Sequence, residues 1–139
     1  IAYASVYGHL KAAVEELAAA LEARGQKVSV FDLARDDMAE AVEDAFRYDR
    51  LVLASITYQG EIFPFMSTFI HTLAEHAYQN RTVALVEAGS WAPAAAKVMT
   101  KELEGMKDIA LTQNKVTVMG SLNDASRAQI EALADELSK

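Results

Sequence analysis

Apolar positions along this chain follow two periods that take turns. A short apolar opening, Ile1-Ala-Tyr-Ala4, gives way to Lys11 to Arg24, where Ala13, Leu17, Ala20 and Leu21 fall at helical spacing. Glu15, Glu16 and Glu22 take the opposite face, and Gly25 follows as a C-cap. Lys27 to Leu33 predicts a second strand around Val28, Val30 and Phe31, and Asp36 or Asp37 can N-cap a helix to about Arg47. Leu51-Val-Leu-Ala-Ser55 is a continuous apolar run, the pattern of a central parallel strand buried on both faces. A loop from Ile56 to Pro64 then leads into a helix from about Phe65 to Tyr78. Thr82-Val-Ala-Leu-Val86 repeats the buried-strand pattern, with a loop through Trp91 and Pro93 before a helix over Ala94 to Met106. Lys115 to Met119 predicts the fifth strand, and Asn123 or Asp124 caps a last helix to Leu137.

Strands and helices thus alternate five times, which predicts an open parallel α/β sheet with helices on both faces. The ligand crevice of such a sheet lies at the carboxyl ends of its strands. Here those ends are Ser5 to Leu10, Ser55 to Gly60 and Glu87 to Trp91, and the unusual residues of the chain gather in them.

Composition narrows the field. The 139 residues suit one domain, with 52% hydrophobic and 24% charged residues, as in ordinary globular proteins. The net charge of −7 and the scattered 13 Lys and Arg argue against nucleic acid as a partner. Cysteine is absent, which excludes disulfides, thiolate nucleophiles and cysteine-ligated metal centres. No apolar run approaches the ~20 residues of a membrane span, and no signal peptide is evident, so the expected location is the cytoplasm, away from membranes. Opening at Ile1, within a strand, the chain reads as a domain of a longer polypeptide with a partner domain upstream.

Each loop admits two readings. In the first, the Ser5 hydroxyl and the close backbone approach allowed by Gly8 suit a phosphate at a helix N-terminus, with Tyr7, His9 and Leu10 around it. The same residues also serve as an ordinary N-cap and turn glycine. In the second loop, Ile56, Thr57, Tyr58, Gln59 and Gly60 offer a flat aromatic, a hydroxyl and free backbone, as a planar heteroaromatic ligand needs. A tyrosine packed over a sheet end beside a turn glycine fits equally well. The third loop, with Ala88, Gly89, Ser90 and Trp91, could cover a ring or close the edge of the core. His71 and His76 are not at the i, i+4 spacing of paired metal ligands, and no Gly-x-Ser-x-Gly elbow exists for a nucleophile. No catalytic side chain and no metal ligand is assigned.

The stretches Ile1-Ala-Tyr-Ala-Ser-Val-Tyr-Gly-His-Leu10 and Ser55-Ile-Thr-Tyr-Gln-Gly60, with Ile62-Phe-Pro64 and Trp91, together resemble flavodoxin-like domains. They are most similar to the C-terminal domain of A-type flavoproteins (flavodiiron proteins), and the resemblance runs over residues 1–139 in order and spacing. It implies a flavodoxin-like open three-layer sandwich with a five-stranded parallel sheet of order 2-1-3-4-5. It further implies FMN held by the three loops as an electron carrier, and an upstream metallo-β-lactamase-like domain whose di-iron site reduces oxygen or nitric oxide. A small donor such as a rubredoxin and homo-oligomerisation of the full-length protein belong to the same picture.

Departures from the family pattern are concentrated at the site. Leu10 stands where the family has a hydroxyl residue, His9 and Gln59 replace asparagines, and Ile56 replaces a proline. Glu87, Gly89 and Pro93-Ala94 replace a glycine, an aromatic and a Gly-Gly pair. Each lost hydrogen bond to a charged group costs on the order of 1.5–3 kcal/mol. Two such losses weaken binding by roughly a hundredfold or more. A degenerate module without FMN, kept for assembly or partner docking, is therefore the second expectation, and Glu87 is expected to disfavour an anionic reduced flavin.

Overall fold

The computed structural model describes residues 1–5, 8–58, 61–89 and 93–139. Their strands are β1 (Ala2–Ala4), β2 (Phe31–Asp32), β3 (Arg50–Tyr58), β4 (Glu61–Ile62), β5 (Arg81–Gly89), β6 (Ile109–Leu111) and β7 (Val116–Met119). The helices are α1 (Gly8–Ala23), α2 (Met38–Arg47), α3 (Pro64–Glu75), α4 (Ala95–Leu103) and α5 (Asp124–Leu137). Strands β2, β1, β3 and β5 lie side by side in parallel, and β6 and β7 both pair with β5 on its far side. The fold is the expected flavodoxin-like three-layer sandwich.

Side-chain parity along the strands builds two cores. Leu51 and Leu53 of β3, with Val83 and Leu85 of β5, face α2, α3 and α4, where Met66, Phe69, Ile70, Leu73 and Met99 are fully buried. The intervening Val52, Ala54 and Ile56, with Ala84, Val86 and Ala88, face α1 and α5. Adjacent side chains on a strand point to opposite faces, so one apolar run fills both layers.

Helix termini follow local chemistry. Asp37 caps α2 by accepting from the Ala39 N–H at 2.8 Å, and Asn123 and Ser126 form a reciprocal capping box at the start of α5. Past the end of α1, Gly25 takes φ +81°, the left-handed conformation a helix stop needs. Arg24 clasps α1 to α5 through Glu131 and Asp135, at 2.7 and 2.8 Å.

The structure corrects several boundaries. The second strand shrinks from Lys27–Leu33 to Phe31–Asp32, because it is an edge strand beside the three-residue β1, with register only from Ala2 to Tyr3. The expected fifth strand, Lys115 to Met119, is present as β7, and a short strand that was not expected, β6, precedes it on the same side of β5. Residues 112–115 leave the ladder between β6 and β7, and Glu136 of α5 accepts from the Gln113 and Asn114 N–H groups, each at 2.9 Å. Burial pushes the Glu136 carboxyl up, and these N–H groups with the Asn114 amide outweigh it, leaving the group below its ordinary value. Helix α1 begins at Gly8, not Lys11, so the first loop is shorter than its sequence suggests. Ile56 to Tyr58 continue β3 and turn back antiparallel through β4 instead of forming an open loop.

Tyr78 is 1% exposed, and its hydroxyl has no hydrogen-bond partner among the described residues. Its ring meets Phe46 edge-on at 5.0 Å and lies under the Arg81 guanidinium at 5.4 Å. Burial pushes the phenol up to about 12. The folded state therefore holds a proton that the unfolded state releases near pH 10, and stability is lost as pH rises from about 10 to 12. Urea denaturation across that range should show the decline, and Tyr78→Phe should flatten it while leaving neutral-pH stability unchanged or higher. In the same assay Phe69→Ala should cost about 3–5 kcal/mol.

Candidate functional site

The carboxyl ends of β1, β3 and β5 meet at a cavity of about 120 Å³ lined by His9, Leu10, Ile56, Thr57, Ala88, Gly89 and Gly120. It is the crevice the strand pattern predicts. A small-molecule pocket occupies roughly 300–1,000 Å³. The cavity is smaller than that, and residues 6–7, 59–60 and 90–92 lie outside the described residues.

On one side stands the first turn of α1. A helix leaves its first N–H groups without partners inside the helix, and they point along the axis towards the crevice. Gly8 is the first residue of α1. A Cβ built on it would meet nothing within 4 Å, and its φ is not left-handed. Neither packing nor backbone conformation among the described residues requires glycine here, so the bare backbone is open to a group from outside. His9 is exposed beside it, and Ser5, at the end of β1, is half-buried. Leu10 is 1% exposed, and its side chain packs between α1 and the sheet. The apolar Leu10 side chain is thus drawn into the core, which leaves only its backbone for the phosphate contact expected of it.

The opposite wall joins the second and third loops. The Thr57 hydroxyl oxygen accepts from the Ala94 N–H at 2.8 Å and the Ala95 N–H at 3.3 Å. The Ser55 hydroxyl donates to the Ile56 carbonyl at 3.0 Å and accepts from the Phe63 N–H at 3.2 Å, holding the β3–β4 turn closed. Ile56 and Ala88 close the floor with their buried side chains. A Cβ on Gly89 would come within 3.4 Å of Pro93, and the Gly89 carbonyl accepts from the Gly120 N–H at 3.1 Å. Two departures from the family pattern thus adjoin, Pro93 lying in van der Waals contact with the place where a side chain at position 89 would begin.

Glu87 is the clearest correction. It does not belong to the loop after the strand but to β5 itself, 3% exposed on the α4 side of the sheet. Its carboxylate accepts from the Ala96 N–H at 3.0 Å and the Thr117 hydroxyl at 2.8 Å, with the Lys115 ammonium at 3.5 Å. The N-cap position of α4 is Ala94, which has no side chain to cap with. Strands β3 and β5 supply the missing acceptors.

Of the predicted site residues, His9, Leu10, Ile56, Thr57, Ala88 and Gly89 line the crevice, while Ser5 follows β1 and Gly8 opens α1. Tyr58 ends β3. Tyr7, Gln59, Gly60, Ser90 and Trp91 lie outside the described residues. Gly120 was not foreseen. With φ +77° directly after β7 it turns the chain at the crevice, and its signal was only a Met-Gly-Ser step after an apolar run. Among the described residues no cluster of three His, Cys, Asp or Glu could hold a metal, and no helix is long and apolar enough to cross a membrane.

A flavodoxin-domain family model matches residues 1–131. No curated protein matches the chain. Among solved structures, rubredoxin oxygen:oxidoreductase from Desulfovibrio gigas superposes with a TM-score of 0.91 at 17% identity, over 99% of this chain and 34% of that protein. A flavodoxin from the domain Archaea superposes with a TM-score of 0.85 at 16% identity, over 99% of this chain and 93% of that one. A mutant flavo di-iron protein from Thermotoga maritima gives 0.80 at 23% identity, over 98% of this chain and 34% of that protein. The chain therefore spans about a third of the oxidoreductase and of the flavo di-iron protein, and nearly the whole of the archaeal flavodoxin.

Thr57→Val should leave the N–H groups of Ala94 and Ala95 without their acceptor, at a cost of about 1–3 kcal/mol in urea denaturation. Thr57→Ser should restore most of it. With the fold shared by these structures and a family model matching residues 1–131, the chain belongs, on the strength of that model, to the flavodoxin-domain family.

Proposed function

We propose that this chain binds FMN and serves as an electron-transfer domain of the A-type flavoprotein kind. The observation that carries the reading is the open backbone at Gly8, where the first turn of α1 faces a crevice at the ends of β1, β3 and β5. A phosphate monoester suits that turn without a lysine or arginine. The donor set fits the cofactor: N–H groups of α1 for the phosphate, and the Thr57 hydroxyl for an acceptor on the ribityl chain or ring. Ser5, Tyr7 and His9 would complete the phosphate side, and Tyr58, Gln59, Gly60, Ser90 and Trp91 the ring side. When bound, FMN would supply one-electron exchange between a donor and an acceptor. The chain itself would bind, orient and shield it, with no side chain acting as acid or base.

In the fuller version of this reading, the domain belongs to a longer polypeptide with an upstream di-iron domain reducing oxygen or nitric oxide. A rubredoxin-like donor would feed it, within a cytoplasmic homo-oligomer. Similarity in fold to proteins about three times as long supports that version. Two observations favour a second reading, a module without FMN that serves assembly. Leu10 is committed to the core, and the α4 N-terminus is filled by the chain's own Thr57 and Glu87.

Titration of the purified chain with FMN, followed by quenching of flavin fluorescence, separates the two. Saturable one-to-one binding at micromolar or tighter affinity is expected. Absence of binding at tens of micromolar would leave the assembly module. Gly8→Ala should weaken binding about tenfold or more, equivalent to ~1.4 kcal/mol. Because nothing lies within 4 Å of the added Cβ, it should leave urea stability unreduced.

A further inference from the structure

Helix α2 buries its small residues and leaves its larger apolar ones at the surface. Its buried residues are Ala41 and Ala45. Met38, Val42 and Phe46, spaced four apart, are only half-buried against the core. Residues at that spacing share one face of a helix. With Thr72 and His76 of α3 they line a cavity of about 810 Å³ between the two helices, which shares no residue with the crevice.

The polar atoms of the α3 wall are already answered. The Thr72 hydroxyl donates to the Thr68 carbonyl at 2.8 Å, and His76 Nδ1 donates to the Thr72 carbonyl at 2.9 Å. A small polar ligand finds little to bond with there, whereas an apolar surface finds a floor.

Charge of one sign borders that floor. From Asp36 to Arg47 the chain carries five carboxylates and one cation. Asp37 caps α2, Asp36 accepts from the Asp32 N–H, and Asp44 pairs with Arg47 at 3.1 Å. Glu40 and Glu43 are exposed and have no ion pair among the described residues. Glu43 lines the groove itself, and Glu40 stands one turn before it.

We propose that this groove docks an amphipathic helix of a protein partner, with its apolar stripe between α2 and α3 and its lysines or arginines against Glu40 and Glu43. Met38 to Phe46 spans about 12 Å of helix, roughly two turns. That is the reach of apolar anchors at i, i+3 or i+4 and i+7 on a docked helix. A second copy of this chain would set the same carboxylates against each other across a twofold axis, and the net charge of −7 opposes it. An anionic membrane surface is repelled for the same reason. Docking here does not depend on whether the crevice holds FMN.

The probe is a fluorescein-labelled synthetic peptide of about 18 residues, with leucine at helical spacing and lysine elsewhere. A counterpart carries glutamate for lysine. Anisotropy titration with the intact chain should give saturable one-to-one binding of the lysine peptide at tens of micromolar, and none of the glutamate peptide. Joint reversal by Glu40→Lys and Glu43→Lys should weaken binding about tenfold or more, equivalent to ~1.4 kcal/mol. The same reversal on α1, Glu15→Lys with Glu22→Lys, should leave it within about twofold, since exposed charges act mainly on near neighbours. Ala39→Gln lengthens a side chain that lines the groove and changes no charge, and it should weaken binding several-fold. In the wild-type chain, peptide-induced NMR shifts should gather at Met38, Val42, Phe46, Thr72 and His76.

No binding of the lysine peptide, equal binding of both peptides, equal loss from either charge reversal, or shifts gathered on another face would overturn the proposal. So would a dimer in sedimentation, or adsorption to phosphatidylserine vesicles, that the peptide displaces, since a second copy or a membrane would then be the occupant. Should the substituted chains fail to fold, the paired peptides and the wild-type shift map decide alone.

Discussion

Seven residue pairs join β3 to β5, from Arg50 with Thr82 to Ile56 with Ala88, and both faces of that ladder are covered by helices. A parallel pair of this kind has no turn to set its register, so the register must come from side chains that fit only one way. Leu53 beside Leu85 and Ala54 beside Val86 supply that fit, one pair facing α3 and α4, the other α1 and α5. The same ladder carries the crevice. Two residues beyond Leu53 comes Ser55, beside Glu87, and beyond them Thr57 stands at the edge of the cavity. Core and candidate site are successive stretches of the same two strands.

The parts of the fold legible in the sequence are those whose signal is local. The spacing of Leu17 and Leu21 announces α1, the apolar run from Leu51 to Ser55 announces β3, and Asn123 announces the start of α5. Boundaries that depend on a neighbour were not legible. Whether the second strand begins at Lys27 or Phe31 is decided by how much of β1 lies beside it. The break between β6 and β7 is decided by Glu136, more than twenty residues later.

The candidate site divides in the same way. Gly8 and Thr57 could be placed at strand ends from pattern alone, because parallel sheets put their crevice there. Leu10 and Glu87 could not, since the direction of a side chain depends on helix phase and strand parity. Leu10 falls on the inner face of α1, and Glu87 on the strand face that meets α4. Gly89 and Pro93 looked like two separate losses in sequence, yet they adjoin in the structure. The α4 terminus was no more legible. Its N-cap is an alanine, and the capping is done from the sheet, where no helix-start motif would reveal it.

Strand parity has one more consequence. A slip of β3 by a single residue would exchange the faces of Ile56 and Thr57. The hydroxyl would enter the apolar layer beneath α1, an isoleucine would stand at the mouth of the crevice, and the opening N–H groups of α4 would lose an acceptor. A mispaired chain would thus be unable to fasten its fourth helix. The hydroxyl that serves the crevice also acts as a checkpoint on assembly, one that only the correctly threaded sheet can pass.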